Sequence, residues 1–127
     1  MNSWLITSGA MRRVLLCGNR VIKIPRLSNW KAGLSANRSE IAWSARGYPG
    51  YCPVLSSHQA GYWLVMPRCR VLTEHDMTEA EFEKFFDQFG KEALDGSGIP
   101  ISLPHLEAKP SNFGWFEGRW VAIDYGA

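Results

Sequence analysis

The residues with most chemical reach lie late in the chain, in His105-Leu-Glu-Ala-Lys-Pro-Ser-Asn-Phe-Gly114 and Val121-Ala-Ile-Asp-Tyr-Gly126. Glu107, Lys109 and Asn112 put a carboxylate, an ammonium and an amide on one loop within six residues. A hairpin following that loop would deliver a second carboxylate, Asp124, at the end of an apolar strand. Asn112 and Asp124 both offer oxygen, the donor type that suits Mg²⁺. Glu107 and Lys109 could then face a phosphate or an attacking hydroxyl. Plainer roles exist for each: Asn112 and Asp124 as turn formers, Glu107 and Lys109 as solvated loop charges.

Composition narrows the classes. With 127 residues, 46% of them hydrophobic, the chain predicts one domain with a real core and no wholesale disorder. A net charge of +2 without any basic run argues against a nucleic-acid partner. The longest apolar stretches, 14–17 and 62–66, are too short to cross a bilayer, and residues 1–10 lack the pattern of a secretory signal. Cys17, Cys52 and Cys69 are odd in number and carry no C-x-x-C pair. They read as small buried residues in a reduced, cytoplasmic setting rather than as a disulfide framework or zinc site. His58, His75 and His105 add no metal-ligand spacing. The six Trp fit either a small core rich in aromatic area or a partner surface.

The elements that must position these groups follow from local pattern. Trp4-Leu5-Ile6, 13–17 and Val21-Ile22-Lys23-Ile24 read as a β-meander, with Gly18-Asn19 as a turn and Pro25 as the last strand's end. Alternation puts Ile22 and Ile24 on one face and Val21 and Lys23 on the other. Residues 25–33 read as a loop, and 34–46 as a helix with Ser35 or Asn37 as N-cap and Gly47 as its stop. Glu40, Trp43 and Gly47 share one stripe of it. A connector, 48–53, leads to paired strands at 54–57 and 62–66, the second closed by Pro67. A second helix spans 78–94, with Thr78 and Glu81 as a capping box. Its Phe82, Phe85, Phe86, Phe89 and Leu94 form a stripe that reads as core packing. Segment 99–103 and a loop at 104–112 precede a hairpin of 113–116 and 119–123, turned at Glu117-Gly118.

In this order the fragments resemble the protein-kinase-like superfamily, including its relatives that phosphorylate aminoglycosides and other small molecules. Lys109-Pro-Ser-Asn-Phe-Gly looks like the K-P-x-N part of the kinase catalytic loop, and Asp124-Tyr125-Gly126 like the D-F-G motif. Val21-Ile22-Lys23-Ile24 is similar to the V-A-I-K strand, and Glu40 is placed like the helix glutamate that pairs with its lysine. Residues 62–66 with Pro67-Arg68 occupy the position of the fifth strand and hinge. The resemblance implies a minimal α+β kinase-like domain, N-lobe-like over 1–67 and reduced C-lobe-like over 68–127. It implies ATP and Mg²⁺ as cofactors. Ser8, Gly9, Lys23, Glu40 and Met66 would then contact the nucleotide, Asn112 and Asp124 the metal, and Glu107 and Lys109 the reacting groups.

Departures from the pattern matter as well. The glycine-rich loop shrinks to Thr7-Ser-Gly-Ala-Met-Arg-Arg13, with one glycine, although Ser-Gly followed by Arg is similar to the small-molecule kinases. Glu107 stands where the family has aspartate, and its extra methylene moves the oxygens by about 1 Å, which can cost roughly a hundredfold in rate. The chain stops one residue after Asp124-Tyr125-Gly126, before any activation loop or A-P-E segment, so a truncated form is expected, and a compact single-domain kinase-like chain of this sort suggests a bacterial or phage origin. Two functions follow: an ATP-dependent phosphotransferase, or an inactive kinase-like module that docks to a partner protein or a second copy. The docking surface would lie near Trp115, Phe116 and Trp120, unless the helix at 78–94 covers them.

Overall fold

The computed structural model describes residues 5–8, 11–92 and 107–126, with side chains for 11–89 and 107–126. Gly9, Leu94, segment 99–103 and His105 lie outside the described residues, as does the side chain of Ser8. The described chain divides into two units: one holds 5–8, 11–46, 53–68 and 126, the other 47–52, 69–92 and 107–125.

The first unit is built on a five-stranded antiparallel sheet, in the order β1 (Leu5–Ser8), β2 (Arg12–Cys17), β3 (Arg20–Pro25), β5 (Leu64–Pro67), β4 (Ser56–Ser57). Strands β1, β2 and β3 form the expected meander. Gly18, at φ 57°, supplies the left-handed residue that a tight turn between Cys17 and Arg20 requires. The register sets Val14 opposite Lys23 and Arg12 opposite Pro25. Alternation therefore puts Arg12, Val14, Lys23 and Pro25 on one face. Strands β4 (Ser56–Ser57) and β5 (Leu64–Pro67) pair as expected but are shorter than 54–57 and 62–66. Backbone bonds from His58 to Trp63 and from Gly61 to His58 take up the residues between them.

Helix α1 (Trp30–Ala45) packs on β3. It starts four residues before the expected Leu34, and a short 3-10 turn, Leu27–Asn29, leads into it, so 25–33 is not simply a loop. Neither Ser35 nor Asn37 is its N-cap. Asn29 holds that position without a side-chain cap bond. The buried stripe explains the misreading: Gly33, Ala36, Asn37 and Glu40 face inward at helical spacing, so little hydrophobic periodicity marks this helix. Gly33 is required by closeness, since a Cβ there would lie 2.6 Å from the Met11 carbonyl oxygen and from Pro25. Gly47 follows the helix at φ 71°, the left-handed stop expected of it.

The second unit pairs a three-stranded sheet, β6 (Arg70–Val71), β7 (Phe113–Phe116) and β8 (Arg119–Ala122), with helix α2 (Glu79–Glu92). Strand β6 has no counterpart in the sequence reading. The β7–β8 turn is the expected Glu117-Gly118, with φ of 49° and 84°, the two positive values that a type I′ turn needs. The capping box of α2 also forms: Thr78 Oγ1 accepts from Glu81 N at 3.2 Å, and Glu81 Oε1 accepts from Thr78 N at 3.0 Å. Phe82, Phe85, Phe86 and Phe89 surround buried Phe113 with ring centroids 5.1–6.0 Å away, mostly edge-on. Tyr51, Cys52, Leu72, Val121, Ala122 and Tyr125 complete this core. Among the described residues, no helix is long and apolar enough to cross a membrane.

Candidate functional site

In the first unit the face of the sheet that meets α1 carries charge. Lys23 on β3 donates through Nζ to Glu40 Oε1 on α1, and both residues are buried. Arg12, at the start of β2, donates to Glu40 Oε2 at 3.2 Å and to Asn37 Oδ1 at 3.1 Å. Asn37 in turn donates from Nδ2 to the Lys23 carbonyl at 3.2 Å and to the Gly61 carbonyl at 2.9 Å. The four side chains close a ring that fixes Lys23 at its head group and at its backbone. Burial by itself would raise the Glu40 pKa. The charges of Lys23 and Arg12 and the hydrogen bonds from both outweigh it, so the carboxyl ionises below its ordinary range. A buried carboxylate between two cations is held in one orientation, because swinging away would leave charge without compensation.

The sequence reading gives Arg12 no part in a site and takes Asn37 only as a candidate helix N-cap, yet both carry a signal. Arg12 shares a β face with Lys23 once the Gly18-Asn19 turn sets the register. Asn37 lies three residues before Glu40, on the same side of the helix. Gly126, the last residue of Asp-Tyr-Gly, approaches this cluster: a Cβ there would lie 2.4 Å from the Ala36 carbonyl oxygen and 3.0 Å from Glu40 Oε2. Met66, expected near a nucleotide through its backbone, lies on β5 opposite Val21 with its side chain buried.

In the second unit, loop and hairpin bring Asn112 and Asp124 close in the backbone, since Ile123 N donates to the Asn112 carbonyl at 2.8 Å. Asn112 Nδ2 donates to the Glu107 carbonyl at 3.1 Å, which orients the amide and turns its oxygen the other way. Asp124 is exposed. Among the described residues no group of three or more His, Cys, Asp and Glu could hold a metal ion. Asn112 and Asp124 would offer one amide oxygen and one carboxylate. That fits Mg²⁺, which retains several waters and takes phosphate oxygens in place of a full protein cage. Glu107 and Lys109 are exposed and form an ion pair at 2.9 Å. The hydrogen bond from Lys109 to Glu107, with their mutual attraction, raises the lysine pKa. Tyr125 is fully buried, stacks on Tyr51 at 4.4 Å and donates to the Cys52 carbonyl at 2.6 Å. This bond anchors the chain immediately beside Asp124.

The same hairpin presents Trp115 to solvent at 41% exposure, with Trp120 edge-on to it at 5.1 Å and Arg70 over the Trp120 ring at 5.0 Å. Val71 on β6 is 43% exposed. The phenylalanines of α2 pack on Phe113 and leave Trp115 uncovered.

No protein-family model matches the chain, and no curated protein matches it significantly. Among solved structures, it is similar to the crystal structure of a choline/ethanolamine kinase family protein from Mesorhizobium loti, with a TM-score of 0.52 at 12% identity. The match covers 98% of this chain and 58% of that one, so the chain spans little more than half the length of that protein. At this identity the likeness speaks for the fold alone, and the fold is kinase-like.

Proposed function

We propose that this chain binds ATP–Mg²⁺ and transfers its terminal phosphoryl group to an acceptor hydroxyl. The observation that carries the reading is the buried Lys23–Glu40 pair between β3 and α1. In this reading Lys23 holds the α- and β-phosphates and Glu40 fixes Lys23. Asn112 and Asp124 hold Mg²⁺, which supplies charge neutralisation at the phosphates, Glu107 orients the hydroxyl, and Lys109 steadies the transferred group. Ser8 and Gly9 cover the phosphates, and the backbone at Met66 receives the base. Phosphoryl transfer asks mainly for positioning and neutralised charge, which a set of this size can supply. Small alcohols such as choline and ethanolamine, named for the solved neighbour, are the first acceptors to test.

ATP–Mg²⁺ at about a hundred times its dissociation constant should stabilise the fold by roughly 2.7 kcal/mol. For a chain of this size the melting temperature then rises by about 10 °C or more. Lys23→Met and Asp124→Asn should each abolish most of that rise. A wild-type protein whose melting temperature ignores ATP–Mg²⁺ would sink the reading.

The exposed Trp115 and Val71, with half-buried Trp120 beside Trp115, favour a second reading, in which the kinase-like fold binds nucleotide but works by docking to a protein partner or a second copy. Phosphate transfer separates the two. Radiolabel from ATP appearing in a small alcohol or in the protein itself, and lost in Glu107→Ala, supports the enzyme. Nucleotide binding without transfer, together with a molecular mass that falls to the monomer in Trp115→Glu, supports the docking module.

A further inference from the structure

Cys52 and Cys69 are far apart in sequence, but their Sγ atoms lie 3.6 Å from each other. Neither is in a disulfide. Cys52 is fully buried and Cys69 half-buried, and both belong to the second unit. Backbone contacts hold Cys52 at two points: its N donates to the Ala122 carbonyl at 2.9 Å, and its carbonyl accepts from Tyr125 at 2.6 Å. Cys69 sits directly on β7, where a Cβ at position 114 would come within 2.6 Å of the Cys69 Cβ. Glycine at 114 is what lets the thiol come down beside Cys52. A disulfide needs the sulfurs about 2.05 Å apart, so they must close by roughly 1.6 Å, a distance that small side-chain rotations cover.

We propose that Cys52 and Cys69 form a thiol–disulfide exchange site whose co-substrate is a small-molecule disulfide, RSSR, of the glutathione type. Cys69, the less buried of the two cysteines, attacks first as its thiolate, making a mixed disulfide and releasing one RS⁻. The Cys52 thiolate then attacks the Cys69 sulfur, forms the intramolecular bond and releases the second RS⁻. Two protein thiols are oxidised and one RSSR is reduced. The two protons given up by the cysteines end on the two released thiols. The chain leaves this unit after Cys52 and returns to it at Cys69, so the bond closes a covalent loop over residues 53–68, which carry β4 and β5. Closing a loop of that length restricts the unfolded chain and should raise the melting temperature by at least about 5 °C.

The test uses the full chain carrying Cys17→Ser, incubated with oxidised glutathione and no nucleotide, so it is independent of the proposed function. The expected result is loss of both remaining thiols, a mass lower by two hydrogens, and a 52–69 linked peptide from monomeric protein after digestion without reduction. Dithiothreitol restores both thiols and lowers the melting temperature again. Adding Cys52→Ser should trap glutathione on Cys69 as the unresolved mixed disulfide. Three outcomes overturn the proposal: glutathione that stays on Cys69 while Cys52 is present, a bond found only between chains, or oxidation only in urea. Peptide mapping of Cys17→Ser alone decides whether the bond forms, whether or not Cys52→Ser folds.

Discussion

Glu40 shows how one side chain can serve both stability and a binding role. It is fully buried and shared between Lys23 and Arg12, so removing its charge takes a shared carboxylate away from two buried cations. Glu40→Gln should cost about 3–5 kcal/mol near neutral pH. Its acid dependence follows from the direction of the pKa. The folded value lies below the ordinary 4.5, so the unfolded chain takes up the proton first as pH falls. The stabilisation from Glu40 is therefore fully present above about pH 4.5 and drains away as pH drops toward and through the folded value. Urea midpoints measured from about pH 7 to about pH 3 should show wild type and Glu40→Gln converging at the acid end. A gap that stays constant would mean the carboxylate's charge is not what stabilises. The Lys23–Glu40 pairing is legible from spacing and resemblance. The Arg12–Asn37 half of the ring is not, because it depends on which strand face meets the helix, and single-residue patterns do not record that.

At the scale of elements, legibility follows locality. The Thr78 and Glu81 box, the Glu117-Gly118 turn and the phenylalanine stripe are each written within a few residues, and all three form. The start of α1 escapes the sequence pattern because its inward face is small and polar. Strand β6 escapes it because two residues, Arg70 and Val71, carry no pattern without the β7 partner that pairs with them. The same contrast orders the energetics of α2. Thr78→Ala removes one cap and should cost about 1 kcal/mol. Phe113→Ala removes the ring on which the helix packs, and should cost about 3–5 kcal/mol. Denaturant unfolding of the two variants checks the order, and a Phe113→Ala loss no larger than that of Thr78→Ala would show that the four rings of α2 do not depend on it.

For the whole molecule, the two units are interleaved along the chain. Residues 47–52 belong with the second unit, where Tyr51 bridges to Ala122 and Cys52 N donates to its carbonyl, although first-unit segments lie on both sides in sequence. No single cut separates the units, and each is small enough to be marginal alone. Calorimetry should therefore show one transition, with calorimetric and van't Hoff enthalpies in agreement, and two resolved peaks would refute this. The edge-on Trp115–Trp120 pair has a further, optical consequence. Two indoles with centroids 5.1 Å apart are close enough for their excited states to mix, giving a paired band in circular dichroism that isolated tryptophans lack. The hairpin that ends in Asp124 thus carries its own chromophore, and its folding can be followed by light without any label.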